Sequence, residues 1–186
     1  MNNDRNRVCP VELANSLDSK IRRWLQNPQK ILSTYVKEGM KVLDVGCGPG
    51  FFSVELAKIV GAHGKVYSVD LQEGMLQKLR NKINGTPLEK IIQLIKCETD
   101  KIVVPEKVDF ILAFYMVHEV PDKDKFFATL KNLLNDGGEF LIVEPKLFHV
   151  SKKEFASTIS KAEAVGFKAA EGPKLAFSFS SVLKIN

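Results

Sequence analysis

Short apolar runs alternate along the chain with stretches in which apolar residues recur at helical spacing. The apolar runs predict buried strands at residues 41–45, 65–69, 91–96, 108–114 and 139–143. The helical spacing predicts helices at residues 52–60, 73–83, 122–134 and 151–165. Because strands that are separated by helices pair in parallel through right-handed crossovers, this order predicts a doubly wound α/β sheet.

The carboxyl-terminal part of the chain departs from this alternation. Residues 167–171 and 174–185 predict two strands that are joined directly through the turn Gly172-Pro173. Two strands joined in this way form an antiparallel hairpin. We therefore predict a sheet of about seven strands that is mostly parallel and carries an antiparallel hairpin at its carboxyl-terminal end.

The amino-terminal part of the chain predicts helix without strands. Residues 11–37 place apolar side chains on one helical face, and Asn27-Pro28 interrupts the run. This segment is too short to hold a core of its own. We therefore predict an N-terminal helical arm over residues 1–38 and one domain over residues 39–186.

The composition excludes several classes of protein. The chain has 186 residues, of which 45% are hydrophobic and 26% charged, as in ordinary soluble globular proteins and unlike disordered chains. No apolar run approaches the roughly 18–20 residues of a membrane span, so we predict no membrane partner. The chain has three cysteines, an odd number, and they are widely spaced at Cys9, Cys47 and Cys97. This pattern argues against a disulfide framework or a metal site, and it favours a reduced, cytoplasmic compartment.

The formal charge of +5 is concentrated at the two ends of the chain. Residues 1–41 hold eight basic and four acidic residues, residues 42–150 hold thirteen and fifteen, and residues 151–186 hold six and three. A solvated surface accounts for a mild excess of this kind. A basic arm is also suited to an anionic substrate or partner.

A glycine-rich turn, Leu43-Asp44-Val45-Gly46-Cys47-Gly48-Pro49-Gly50, lies between the first predicted strand and the first predicted helix. Ligands of doubly wound sheets bind at this edge, and the helix N-terminus offers free backbone N–H groups. A dinucleotide fingerprint would need its third glycine at position 51, where this chain has Phe51, and no Walker lysine follows the turn. The usual phosphate-binding loops therefore match poorly.

Two aspartates accompany this turn. Asp44 lies in the strand two residues before the first glycine, where a carboxylate can organise the loop and meet a ligand cation. Asp70 ends the second strand, the position from which an acid binds the two hydroxyls of a ribose. The pattern predicts a ligand with a ribose and a cationic group and without a required pyrophosphate.

These motifs resemble those of the class I S-adenosylmethionine-dependent methyltransferases. The residues that carry the resemblance are Val42–Gly50, Val66–Asp70 and Val108–Ile111, and it covers about residues 39–186. Cys9-Pro10, Leu17–Ser19 and Arg22-Arg23 also look like the arm of a small branch of that superfamily whose substrates are uncharacterised. The resemblance implies a Rossmann-like fold, S-adenosyl-L-methionine as cofactor and S-adenosyl-L-homocysteine as product.

The resemblance also implies a set of cofactor-binding positions. The glycine loop would pass beneath the methionine part, Asp44 would hold the loop and the ammonium group, and Asp70 would bind the ribose. Leu71 would lie against the adenine, and Glu98 would accept from the adenine amino group beside the backbone N–H of Thr99. The full implied set is Asp44, Gly46, Cys47, Gly48, Gly50, Asp70, Leu71, Glu98, Thr99 and Phe114.

Candidate catalytic residues follow the fourth strand. Phe114 and Tyr115 end that strand, where the resemblance directs the donated methyl group toward the acceptor. A general base is needed only if the acceptor must lose a proton, and Tyr115 and His118 are the candidates, with Glu119 beside them and Glu144 as a weaker alternative. Buried packing is the simpler interpretation of Cys47 and Cys97.

The motifs of the sequence narrow the class of methyl acceptor but do not identify it. No Asn-Pro-Pro-aromatic motif, no cysteine and no RNA-binding pattern follows the fourth strand, which argues against a nucleic acid and favours a small molecule. We hypothesise that the basic arm closes as a lid, with Trp24 and Arg22 or Arg23 near an anionic acceptor. A nicotinamide-dependent oxidoreductase and a non-catalytic, partner-dependent subunit that binds S-adenosylmethionine are the alternatives, and the oligomeric state is not predicted.

Overall fold

The computed structural model describes residues 27–99, 101–146 and 150–185. Most of the predicted arm, including Arg22, Arg23 and Trp24, lies outside these residues. The described helices are α1 (Pro28–Leu32), α2 (Phe51–Val60), α3 (Glu73–Ile83), α4 (Lys123–Leu133) and α5 (Lys152–Ala164), with 3₁₀ turns at Pro87–Lys90 and Val117–Glu119. The strands are β1 (Lys41–Val45), β2 (Lys65–Asp70), β3 (Ile92–Lys96), β4 (Val108–Phe114), β5 (Leu134–Pro145), β6 (Lys168–Glu171) and β7 (Ser178–Lys184).

The seven strands form one sheet in the order β3-β2-β1-β4-β5-β7-β6. Strands β1 to β5 pair in parallel, whereas β7 lies antiparallel between β5 and β6. The predicted doubly wound sheet with an antiparallel hairpin at its end is therefore confirmed. The chain winds outward in both directions from β1 and β4, and the crevice above these two strands is where such folds bind ligands.

The alternation of side chains along each strand divides the core into two layers. Val42 of β1 faces one layer with α1, α2 and α3, and the next residue, Leu43, faces the other layer with α4 and α5. Both side chains are completely buried. A strand that is buried on both faces must be apolar at nearly every position, which explains why the parallel strands appear in the sequence as continuous apolar runs.

Strand β5 begins five residues earlier than the predicted strand at 139–143. Leu134 directly follows α4 and pairs with Val108, and the register then shifts before Phe110 pairs with Glu139. Gly137, at a φ of +76°, belongs to this irregular part of the strand. Asp136-Gly137-Gly138, a sequence typical of a turn, is therefore a bulged part of the strand, because burial of Leu134 against β4 extends the pairing.

The helix boundaries have identifiable caps. The Ser151 side chain accepts from the backbone N–H of Glu154, whose carboxylate in turn accepts from the backbone N–H of Ser151, so a capping box begins α5. Asn27 caps α1, which packs Ile31 and Leu32 into the same core layer as α2. The domain boundary at residue 38 stays a prediction. Within the described ranges, no helix has the length and apolar character needed to cross a membrane.

Candidate functional site

A cavity of about 300 Å³ opens at the carboxyl ends of β1 to β4. Because parallel strands end at the same edge of the sheet, the residues that follow them meet there. Among the sequence-predicted residues, those that line the cavity are Asp44, Gly46, Cys47, Gly48, Asp70, Leu71, Glu98, Thr99, Phe114 and Tyr115. Gly50 and His118 do not line it.

The glycine loop is held close to β2 and to the residues after β4. The backbone N–H groups of Gly46 and Cys47 donate to the carbonyl of Val69 at 2.8 and 3.0 Å. Gly46 has a φ of +68°, and a Cβ atom there would lie 2.9 Å from the Met116 side chain. Glycine is therefore required at Gly46 both by its backbone conformation and by the close approach of Met116.

Gly50 has a structural role at the end of the loop. It precedes α2 in the left-handed conformation, with a φ of +83°. A Cβ atom at Gly50 would lie 2.2 Å from Leu79 Cδ1 of α3. Gly50 thus ends the loop and lets the start of α2 lie against Leu79 of α3, while the cavity is lined by its neighbours.

Asp44 is a buried carboxylate at the floor of the cavity. Its exposed fraction is 2%, and its Oδ2 atom accepts a hydrogen bond of 2.6 Å from Ser53 Oγ of α2. Ser53 Oγ accepts in turn from Ser68 Oγ of β2 at 2.9 Å. Neither serine carries a signal in the sequence that predicts these contacts.

Asp70 joins the glycine loop to the segment after β2. Its Oδ2 atom accepts from the Gly48 N–H at 2.8 Å, and its Oδ1 atom accepts from the Gln72 N–H at 2.8 Å. Burial raises the pKa of the Asp70 carboxyl above its ordinary value, although the backbone donors act in the opposite direction. The carboxylate is thus oriented by two backbone groups at the cavity wall.

The residues after β2 and β3 form the adjoining wall. Leu71 lines the cavity with 37% of its surface exposed, so it presents an apolar face to a ligand. Glu98 and Thr99 follow β3, and the backbones of Glu98 and Lys101 exchange two hydrogen bonds that close a tight turn. Burial raises the pKa of the Cys97 thiol to about 11 and that of Cys47 well above its usual range, as expected for packing residues rather than nucleophiles.

Aromatic side chains form the side of the cavity at the end of β4. The ring centroids of Phe52 and Phe114 are 4.2 Å apart, and those of Phe114 and Tyr115 are 4.5 Å apart. Tyr115 has a φ of +61°, which is rare for a residue with a large side chain. The Tyr115 hydroxyl shares a hydrogen bond of 2.6 Å with Ser178 Oγ at the start of β7, so both ends of this residue are fixed.

His118 joins the 3₁₀ turn after β4 to the end of β5. Its Nδ1 atom lies 2.6 Å from Glu144 Oε2, and the same carboxylate accepts from the backbone N–H groups of Val117 and His118 at 2.9 and 3.2 Å. Burial lowers the pKa of His118, but the hydrogen bond and charge of Glu144, with the charge of Glu119, raise it overall. His118 and Glu144 thus form a clamp that holds the 3₁₀ turn against the end of β5, and His118 does not line the cavity.

Several lining residues were not predicted from the sequence. Gln72, Met75 and Ile102 lie around the wall after β2 and β3, and the turn after β4 adds further members. Gln72 follows the end of β2 closely, whereas Met75 belongs to the first turn of α3 and no motif in the sequence marks it as a lining residue. The additional lining residues are Val45, Pro49, Phe51, Phe52, Gln72, Met75, Ile102, Met116, Val120, Pro121 and Phe126. Cys97 and Glu119, which were both considered from the sequence, line the cavity as well.

Comparisons with known proteins agree with this architecture. Residues 36–175 match the model of a family described as a methyltransferase domain. The crystal structure of a SAM-dependent methyltransferase from Aquifex aeolicus is 31% identical, with a TM-score of 0.86 over 96% of this chain and 100% of that one. Fibrillarin from Aeropyrum pernix, solved with natively bound S-adenosyl-L-methionine, is 18% identical and has a TM-score of 0.63 over 79% of this chain and 67% of its own, which shows a shared fold.

Curated relatives match over a shorter segment. A ubiquinone/menaquinone biosynthesis C-methyltransferase, UbiE, from Psychromonas ingrahamii is 28% identical over 110 residues, which cover 59% of this chain and 44% of the relative. The chain therefore spans less than half of the length of the curated relatives it matches. The match to these relatives leaves the acceptor open.

Proposed function

Because this chain belongs to the methyltransferase-domain family of class I S-adenosylmethionine-dependent enzymes, we propose that it methylates a small molecule that binds beside Tyr115. The observation that carries the proposal is the cavity at the carboxyl edge of β1 to β4, where Asp44, Asp70 and the glycine loop converge. The nicotinamide-dependent alternative lacks the third fingerprint glycine, since position 51 is Phe51. Family membership also argues against that alternative.

The residues of the cavity fit the cofactor in chemistry. Asp70 presents a carboxylate that two backbone N–H groups already orient, which suits the two hydroxyls of a ribose. Asp44 offers a buried carboxylate to the ammonium group, and Gly48, where an added Cβ atom would have no atom within 4 Å, leaves room for the methionine part. We assign Leu71 to one face of the adenine, and Glu98 with Thr99 to its edge.

The protein contributes position rather than covalent chemistry. Held by Asp44, Asp70 and the glycine loop, the cofactor would supply an activated methyl group for in-line transfer to an acceptor lone pair, and the electron pair of the broken carbon–sulfur bond would remain on sulfur. The rings of Phe114 and Tyr115 form the wall on the acceptor side of this reaction and exclude water. His118 lies outside the cavity lining, so we assign it to holding the turn after β4 and leave Tyr115 as the side chain next to the reacting atoms.

The ability of the site to bind an anionic acceptor depends on the amino-terminal arm. Among the described lining residues, the charged side chains are the carboxylates of Asp44, Asp70, Glu98 and Glu119. An anionic acceptor would therefore need the basic residues of the arm, which lie outside the described residues. Deletion of residues 1–26 should then abolish turnover without abolishing cofactor binding, and full activity of the shortened protein would contradict the lid.

Calorimetric titration tests the proposal directly. We expect S-adenosylmethionine to bind with micromolar affinity, whereas NADH should not bind. Asp70→Ala removes the acceptor of two ribose hydrogen bonds and should weaken binding by at least about 100-fold, since hydrogen bonds to a charged group contribute about 1.5–3 kcal/mol each. The exposed Asp136, which does not line the cavity, provides the matched control Asp136→Ala.

Unchanged affinity in Asp70→Ala would contradict the ribose assignment, and tight binding of NADH would favour the oxidoreductase. The acceptor can then be sought by following the release of S-adenosylhomocysteine across fractionated metabolite pools. A pool that supports release only in the presence of active protein contains the acceptor. The C-methylation named for the curated relatives makes quinone precursors one reasonable pool to include.

A further inference from the structure

Three buried polar side chains form a hydrogen-bonded row beneath the glycine loop. Ser68 Oγ donates to Ser53 Oγ at 2.9 Å, and Ser53 Oγ donates to Asp44 Oδ2 at 2.6 Å. Both serines are completely buried, and Asp44 is 2% exposed. The row therefore leads from the interior of the domain to a carboxylate that lines the cavity.

The fold brings these three residues together from separate elements. Asp44 of β1 pairs in register with Ser68 of β2, so their side chains point to the same face of the sheet. Two residues earlier on each strand, the same face carries Val42 and Val66, which are completely buried. The first turn of α2 crosses this face and places Ser53 between the two strands.

Hydroxyl groups at these positions need an explanation. A buried hydroxyl loses its hydrogen bonds to water, and the loss is offset only if it finds a partner in the protein. Apolar side chains occupy the preceding positions of the same face, so the sheet packs there without hydroxyls. Ser53 donates directly to Asp44, and Ser68 donates to Ser53, so both hydroxyls support the Asp44 carboxylate.

We propose that Ser53 and Ser68 are positioning residues that fix the direction of the Asp44 carboxylate toward the ammonium group of the cofactor. A serine hydroxyl near a helix start can also rotate toward a backbone carbonyl of the preceding turn. Because Ser68 donates to the Ser53 oxygen, it directs the Ser53 proton to Asp44, and consecutive hydrogen bonds of this kind strengthen each other. The inference rests on the proposed function, since it assumes that Asp44 meets the cofactor.

Two ligands distinguish positioning from a general effect on the fold. S-adenosylhomocysteine carries the amino acid part with its ammonium group, whereas 5′-methylthioadenosine shares the adenosine and the sulfur but lacks that part. Ser53→Ala should weaken binding of S-adenosylhomocysteine by about tenfold, the equivalent of one hydrogen bond to a charged group. Binding of 5′-methylthioadenosine should change by less than about twofold.

Ser68→Ala gives a second test that does not touch Asp44 directly. We expect it to weaken S-adenosylhomocysteine by about threefold in the native background and to have no further effect when Ser53 is already alanine, since residues of one network are coupled. The matched control is Ser181→Ala, which removes another buried hydroxyl, 5% exposed, that donates to the Ala170 carbonyl at 3.0 Å outside the cavity lining. The control should leave both affinities unchanged.

The outcomes separate the inference from the proposed function. Equal losses for the two ligands in Ser53→Ala, or no loss for S-adenosylhomocysteine in either variant, would overturn the positioning role. Wild-type protein that binds neither ligand would instead overturn the proposed function on which the inference rests. Circular dichroism of each variant checks that it is folded before titration.

Discussion

The His118–Glu144 clamp should make stability depend on pH in a defined direction. The two side chains meet at 2.6 Å, with the His118 side chain 25% exposed and that of Glu144 2% exposed. Replacing His118 by glutamine keeps a donor but removes the positive charge. A hydrogen bond to a charged group contributes about 1.5–3 kcal/mol and a neutral one about 1 kcal/mol, so the variant should lose about 1–2 kcal/mol when His118 is charged.

The direction of the His118 pKa shift determines how the stability of the protein changes with pH. The pKa of His118 is raised in the folded protein above the value of about 6.5 that an unfolded chain would have. The folded state therefore keeps a proton that the unfolded state has already lost, and stability falls as the pH rises through the folded pKa. The contribution of the clamp is fully present below about pH 6.5 and declines above it.

Urea denaturation followed by circular dichroism at pH 6.0 and pH 8.5 measures this contribution. The free energy of unfolding of His118→Gln should lie further below that of the wild type at pH 6.0 than at pH 8.5. His63→Gln, at an exposed position, should show no such difference. A gap between His118→Gln and wild type that is constant, or that widens at pH 8.5, would refute the charged clamp.

Three further predictions test other parts of the site. Gly50→Ala should lose about 2–4 kcal/mol of stability, because the new side chain would be strained in the left-handed conformation and would lie 2.2 Å from Leu79 of α3. Gly85→Ala has the same backbone strain without a contact and should lose about 1–2 kcal/mol. Equal losses of the two variants in urea denaturation would contradict the packing role of Gly50. Tyr115→Phe should lose about 1 kcal/mol in urea denaturation, and Ser178→Ala should lose more, because the Ser178 hydroxyl also donates to the Ala176 carbonyl at 3.2 Å. The double variant should lose no more than Ser178→Ala alone, since that variant already removes the hydrogen bond to Tyr115, and additive losses would contradict the pairing. Cys97, whose pKa is raised to about 11, should react with iodoacetamide at pH 8 about 100-fold more slowly than free cysteine, as measured by peptide mass spectrometry, and a rate close to that of free cysteine would contradict the shift.

Most of the sheet could be predicted because its strands are buried on both faces. Such strands give continuous apolar runs, and the helices between them force parallel pairing. The start of β5 could not be predicted in this way. Leu134 joins the strand only because it packs against Val108 of β4, and this contact overrides the local turn signal of Gly137.

The cofactor half of the site follows from the same topology. Asp44, Asp70 and Glu98 end or follow three adjacent parallel strands, so their convergence at one edge is a direct consequence of strand order. The roles within the loop are less accessible to sequence reasoning. Gly50 belongs to the motif, yet only its distance to a residue of α3, 29 positions further along the chain, shows that it serves packing.

The acceptor half depends on contacts that no local pattern encodes. Tyr115 and His118 are three residues apart in the sequence, and both are candidate bases on the sequence alone. Their different environments come from two partners far along the chain. Ser178 of β7 shares a hydrogen bond with the Tyr115 hydroxyl, and Glu144 of β5 is hydrogen-bonded to the His118 ring. Because such long-range pairs shape the wall that meets the acceptor, specificity in this fold can change while the cofactor motifs stay the same, and the motifs that identify the family therefore carry no information about the acceptor.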